Sequence, residues 1–197
     1  MAVIALLGGS LGLALSGDNI GRSLQEAQAL LSANLTAART HAALARRATR
    51  MLIFTGENRA GIADDVAWRY LELVAENDSG EWEVVGAGNC LPKRIRLVPK
   101  VLPTTVSSET WVATALSNLS GEVELRIRRA GQEETVSCLY VEFTPLGNTS
   151  VATLVVSPAR RFSGSTGPLI YDRPDAVRGV KLSQYGAQTL LPGIESF

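Results

Sequence analysis

The sequence predicts an α+β fold in which one long N-terminal helix packs on an antiparallel β-sheet head. Three observations predict it. Between residues 24 and 45 apolar side chains recur every three or four positions. From residue 51 onward that period falls to two. Composition supplies the third: 197 residues, 46% of them apolar, 19 basic against 19 acidic side chains and a mean hydropathy of +0.12 describe a globular chain with ample core.

Residues 1–15 come first and are the least ordinary. They carry no charge, and the first ionisable side chain is Asp18. As a helix they would reach about 22 Å, short of the roughly 20 residues that cross a bilayer core. Three readings stand side by side. One is a secretory signal peptide, for which Ala14-Leu15-Ser16 offers small residues at a cleavage site but no basic start precedes the apolar run. Another is a buried core helix. The third is a membrane or assembly helix whose first turns are missing, with Val3, Ile4, Leu6, Leu7, Leu11 and Leu13 as its apolar surface and Gly8 and Gly12 as a small-xxx-small pair.

Ser16-Gly17-Asp18-Asn19 and Gly21 then interrupt the run. Ser23 with Glu26 three residues later reads as a capping box opening a new helix. Leu24, Ala27, Leu31, Leu35, Ala38, Ala42 and Ala45 form one narrow stripe along it, and alanine and leucine are strong helix formers. Arg46, Arg47 and Arg50 suit the last turns, where cations favour the negative helix end. An alanine-rich stripe suits close packing on a sheet. The predicted organisation is therefore 1–22, an apolar helix remnant and break; 23–50, an amphipathic helix; and 51–197, a β-rich head.

Within the head, 51–54 is an apolar strand. Residues 67–75 and 81–85 flank Asn77-Asp78-Ser79-Gly80 and read as a hairpin. At 93–98, Ile95 and Leu97 alternate with Arg94 and Arg96, so the arginines are expected outside. At 122–128, Val123, Leu125 and Ile127 alternate with Glu122, Glu124, Arg126 and Arg128. Ala130-Gly131-Gln132 turns the chain into a strand with Leu139, Val141 and Phe143 on its apolar face, and 151–156 and 179–183 are further strands. Such alternation predicts an antiparallel sheet with one wet face. The Gly-, Ser- and Pro-rich stretch 158–175 reads as a long exposed loop.

Chemistry-bearing residues are sparse. One histidine and two cysteines cannot furnish a four-ligand zinc site of the usual Cys/His kinds, and any His-dependent triad would centre on His41. His41, lying beside Arg39 and Arg46 with no carboxylate cluster, reads as a solvated helix residue. Asp64-Asp65 reads as a loop or helix-start pair rather than half a metal site. Gly86-Ala87-Gly88-Asn89-Cys90 lacks the third glycine and the helix of a dinucleotide fingerprint, and Gly164-Ser165-Thr166-Gly167 lacks the lysine of a phosphate loop. Cys90 and Cys138 are read either as a disulfide or as two small buried thiols. The sequons at Asn34, Asn77, Asn118 and Asn148 matter only in a eukaryotic secretory setting. Zero net charge and a pI near 6.6 lack the basic footprint of a duplex-DNA binder; Arg128-Arg129 and Arg160-Arg161 could grip nucleic acid, and a solvated face is the favoured reading of both pairs. No cofactor is expected.

Four stretches resemble type IV pilin-like proteins, specifically the minor pseudopilin H (GspH/FimT-like) group of bacterial type II secretion and pilus systems. Val3-Ile4-Ala5-Leu6-Leu7-Gly8 is similar to the middle of the apolar pilin helix. Ala37-Ala38-Arg39-Thr40-His41-Ala42 resembles the segment before the first strand. Tyr140-Val141-Glu142-Phe143-Thr144-Pro145-Leu146-Gly147 is similar to the family's strand and turn, and 152–156 with 179–183 and Tyr185-Gly186 to its C-terminal hairpin. Taken together the four stretches run nearly end to end. The family's basic leader and its Phe-Thr-Leu-x-Glu start are absent, and the expectation is that Met1 is an internal methionine of a longer product.

The resemblance implies a non-enzymatic, pilin-like minor subunit. Its localisation would be the bacterial inner membrane with a periplasmic or extracellular head, and its partners other pilin or pseudopilin subunits, the inner membrane and secreted cargo. Leader processing, N-methylation and an assembly glutamate are implied by the resemblance alone. One alternative is a competence-type minor pilin that binds DNA through Arg160 and Arg161. Another is a secreted β-sandwich protein with a cleaved signal peptide.

Overall fold

The computed structural model describes residues 20–55, 66–99, 116–119, 121–161, 169–171 and 173–197. Its first element, helix α1 (Ile20–Ala45), buries Leu24, Ala27, Leu31, Leu35, Ala38 and Ala42, the predicted stripe; Ala45 is exposed. The helix bounds differ from the prediction at both ends. Gly21 and Ser23 are already helical, so Ser23-Glu26 lies inside the first turns and is not an N-cap. Arg46, Arg47 and Arg50 lie beyond the helix. Arg46 adopts a left-handed conformation (φ 54°), and the Arg47 amide donates to the Ala42 carbonyl at 3.2 Å, the six-to-one bond of a Schellman cap. Residues 1–19, with the proposed apolar surface and the predicted break at 16–19, lie outside the described residues.

Eleven strands follow among the described residues: β1 (Thr49–Phe54), β2 (Tyr70–Glu76), β3 (Trp82–Val84), β4 (Asn89–Cys90), β5 (Ile95–Leu97), β6 (Val123–Arg129), β7 (Gln132–Phe143), β8 (Ala152–Arg161), β9 (Leu169–Tyr171), β10 (Arg178–Leu182) and β11 (Gln188–Leu191), before a 3₁₀ turn at Ile194–Ser196. They form two sheets rather than the one expected. In the first the order is β1-β7-β6-β3-β2-β4, and an additional β1–β2 pairing closes β1, β7, β6, β3 and β2 into a small barrel. All of its pairs are antiparallel except β3–β6, which is parallel, so the head is mixed. The second sheet has the order β11-β10-β8-β5, with β9 paired to β8.

Closure explains why β1 reads as an unbroken apolar run. Met51 and Ile53 join the core under α1, whereas Leu52 and Phe54 point into the barrel with Tyr70, Val74, Ile127, Val136 and Cys138. Strand side chains alternate between faces, and here both faces are dry. The core under α1 also takes Leu139, Val141 and Phe143 from β7, Leu154 and Val156 from β8, and Val180 and Leu182 from β10. Helix α1 therefore sits where the inner faces of the two sheets meet. The far side of β8 is covered too, by Val98, Leu169, Tyr171 and Val177.

Two further expectations are corrected. The 158–175 stretch is not simply a loop, because β8 runs through Pro158 to Arg161 and pairs Ala159 with Tyr171 and Arg160 with Ile170. Arg96 is not outward. It is 1% exposed, its guanidinium donates to the Ala67 carbonyl, and Tyr171 beside it donates to the Leu97 carbonyl at 2.6 Å. Burial pushes the Tyr171 hydroxyl far above the ordinary tyrosine range, partly offset by the Arg96 charge.

Filling the junction between helix and sheets makes the stripe the stability-determining surface. Leu35→Ala, at a fully buried position, is expected to destabilise by about 2–5 kcal/mol in chemical denaturation. Leu44→Ala, at a position 81% exposed, is expected to stay within about 0.5 kcal/mol of the parent.

Candidate assembly surface

Two polar side chains lie on the buried stripe: Gln28, missed by reading apolar residues alone, and Asn34, which the sequence pattern places elsewhere on the helix. Gln28 is 4% exposed. Its Nε2 donates to the carbonyls of Gly179 at 2.7 Å and Leu191 at 3.0 Å, which face each other across β10 and β11, and its Oε1 accepts from Arg178 at 3.2 Å. Asn34 donates to the Leu30 carbonyl at 2.8 Å and accepts from Asn89 at 3.2 Å. The signal was positional: Gln28 falls four residues after Leu24 and Asn34 three after Leu31, on the stripe itself. A buried polar group needs partners, and sheet-edge carbonyls are the ones available.

The seam continues along the helix as polar contacts. Ser32 donates to Gln188 Oε1 at 2.7 Å, and Gln188 Nε2 returns a bond to Thr36 at 3.0 Å. Arg39 lays its stem over two turns that touch, Leu146-Gly147 and Tyr185-Gly186. Both glycines have positive φ (76° and 70°), and a Cβ on Gly186 would stand 2.7 Å from the Gly147 carbonyl. His41 is a half-buried bracket, its Nδ1 3.1 Å from Thr49 Oγ1 at the start of β1.

The opposite face of α1 is open. Ala29, Ala33, Ala37, Thr40, Ala43 and Leu44 are all exposed, and no charged side chain occurs between Glu26 and Arg39. A helix that ends its contacts at one sheet junction ordinarily carries charge on the solvent side. This one presents small uncharged residues over about two of its turns. No helix among the described residues is long and apolar enough to cross a membrane.

Charges in the head serve structure. Arg129 reaches the 1%-exposed Glu72 with a two-pronged contact at 2.6 and 2.8 Å and also approaches Glu134 at 3.3 Å. Arg128 pairs with Glu81 at 2.9 Å. That engages one of the basic pairs considered for nucleic acid. Arg160 is exposed on β8 opposite Ile170, and the side chain of Arg161 lies outside the described residues. The Arg50 guanidinium stacks 3.9 Å from the Trp82 ring centre and 4.2 Å from that of Tyr140 while bonding Glu142 at 2.7 Å. Gly88 of the discounted dinucleotide motif stands against the Tyr70 hydroxyl, where a Cβ would overlap it. Asp64-Asp65 and Gly164-Ser165-Thr166-Gly167 lie outside the described residues; among those described, no three His, Cys, Asp or Glu side chains gather in a metal-holding cluster.

The disulfide reading is corrected: both thiols are free, Cys90 exposed on β4 and Cys138 buried in the barrel. Burial pushes the Cys138 thiol up to about 11, with Arg50 pulling it partly back and Glu122 adding to the rise.

No family model matches the sequence, and neither does any curated protein. Solved structures are similar. The minor pseudopilin EpsH of the type 2 secretion system of Vibrio cholerae is 13% identical, with a TM-score of 0.47 over 86% of this chain and 96% of that one. A second EpsH structure is 15% identical, with a TM-score of 0.44 over 85% and 94%. The type IV minor pilin FimU of Pseudomonas aeruginosa is 15% identical, with a TM-score of 0.45 over 86% and 88%.

Two outcomes test this geometry. Gln28→Ala removes its bonds to the Gly179 and Leu191 carbonyls and to Arg178 and is expected to cost about 1–3 kcal/mol in denaturant unfolding. Cys138 holds its proton better when folded, so its contribution is intact below about pH 9 and is lost as pH climbs towards 11, at about 1.4 kcal/mol per pH unit. Melting of Cys138→Ala is accordingly expected to fall less steeply than that of the parent between pH 9 and 11.

Proposed function

We propose that the chain is a non-enzymatic, pilin-like minor subunit, held in the bacterial inner membrane by its apolar N-terminal segment and assembled through α1 into a type II secretion or type IV pilus-like filament. The observation that carries the reading is the uncharged outer face of α1, Ala29, Ala33 and Ala37 in particular. An uncharged segment at residues 1–15 precedes it in sequence, with Asp18, Arg22 and Glu26 in between. Small side chains let a second helix approach closely, and the same uncharged surface can lie in lipid before assembly and against neighbouring helices after it. The sequence motifs that resemble the minor pseudopilin H group support the same reading. The head would then face the periplasm or the exterior, where it contacts other subunits and secreted cargo.

Charge placed on this face separates folding from assembly. In cells making the full chain with its partner subunits, Ala33→Lys and Ala37→Glu are expected to leave the melting midpoint within the equivalent of about 0.5 kcal/mol. Both are expected to remove the chain from sheared filament fractions. Unchanged incorporation of both variants, or a full chain that fractionates away from the inner membrane, would overturn the proposal.

A further inference from the structure

Strand β6 is paired to β7 along its whole length, from Val123 opposite Cys138 to Arg129 opposite Gln132. On its other edge it meets β3 only at Ile127 and Arg128. Among the described residues nothing pairs with that edge from Val123 to Arg126. The β6–β7 hairpin turns through Ala130 (φ 47°) and Gly131 (φ 82°), both positive as in a type I′ turn, so the flanking Arg129 and Gln132 exchange both backbone hydrogen bonds. That exchange recurs at every second residue. Ile127, Leu125 and Val123 therefore direct their amides and carbonyls to β7, whereas Arg128, Arg126 and Glu124 turn theirs to the opposite edge. Arg128 meets β3 there; Glu124 and Arg126 face a gap.

A groove of about 320 Å³ opens beside this gap, floored by Trp82, Leu125 and Ile127. Trp82 and Leu125 are half-buried. Around the rim Arg128 is held by Glu81 at 2.9 Å, and Arg126 approaches Glu133 at 3.7 Å with both side chains well exposed, a pair that costs little to rearrange.

We propose that this gap is a β-augmentation site that takes an extended segment of a partner protein, antiparallel to β6, whose successive residues are acidic, apolar and basic. A row of backbone donors and acceptors at strand spacing is matched by another strand. Charge sets the order. An antiparallel segment meets Arg126 first, then Leu125, then Glu124, so an acid, an apolar residue and a base put opposite charges across both outer pairs. The middle residue shares the face of Leu125 and enters the groove against Trp82.

The probe is the capped peptide Gly-Thr-Glu-Val-Lys-Thr-Gly at millimolar concentration, with Gly-Thr-Lys-Val-Glu-Thr-Gly as the reversed control, added to the full chain. Hydrogen exchange is read at single amides. In the free protein Glu124 and Arg126 exchange fast while Val123 and Leu125 are protected. The first peptide is expected to slow Glu124 and Arg126 about tenfold or more, and the reversed peptide much less. In Glu124→Lys/Arg126→Glu, whose altered side chains are exposed and whose melting should match the parent, the preference is expected to invert. Failure of the first peptide to slow these two amides, equal slowing by the reversed peptide, or an unchanged preference in the charge-exchanged variant, overturns the proposal.

Discussion

Everything in this molecule is arranged around one buried strip of leucine and alanine on α1. It is covered not by one sheet but by the junction of two. Met51 and Ile53 from β1, Leu139 and Val141 from β7, Leu154 and Val156 from β8, and Val180 and Leu182 from β10 all meet it. Alanine at 27, 38 and 42 lets the backbones approach closely, and leucine at 31 and 35 fills the space between the sheets. Apolar packing supplies attraction but little register. The register comes from polar contacts on the same strip: Gln28 spans the paired carbonyls of β10 and β11, and Asn34 ties the helix to β4.

Because β1 and β2 supply both the floor of the helix junction and the wall of the barrel, the two cores share their central strands. The barrel interior then has to accept the polar residues that alternation delivers to it. Glu72 lies between Val74 and Tyr70 on the inward face of β2, and at 1% exposure it is held by the two-pronged contact with Arg129 and a bond from the Tyr70 hydroxyl at 3.3 Å. Arg50 solves the same problem with aromatic faces and Glu142. Charges that a sequence reading assigns to solvent are here the plugs of a small barrel.

The legible part of the fold is the part governed by local period. Every residue of the predicted stripe from Leu24 to Ala42 is buried, and the hairpins around 77–80 and 130–131 occur where turn chemistry placed them. Errors arose where a neighbour distant in sequence changed the environment. Arg96 alternates like a surface residue but is roofed by the Ala67 backbone and Tyr171. Ser23 and Glu26 form a plausible cap, yet helix already surrounds them. Strand β9 has three residues and β4 two, too few for a period to register, and each exists because a longer strand offered it an edge.

By itself, then, the sequence determined which face of the helix is apolar, where most strands begin and turn, and which side chains of each strand share a face. These are consequences of backbone periods of 3.6 and 2, which act between near neighbours. Tertiary structure alone decided that the strands divide into two sheets, that one of them closes, that Cys90 and Cys138 stay apart, and that, among the described residues, β6 keeps part of one edge unpaired. Those outcomes depend on pairing and covering between residues far apart along the chain, and an alternating pattern records that a face is apolar without recording what comes to lie upon it.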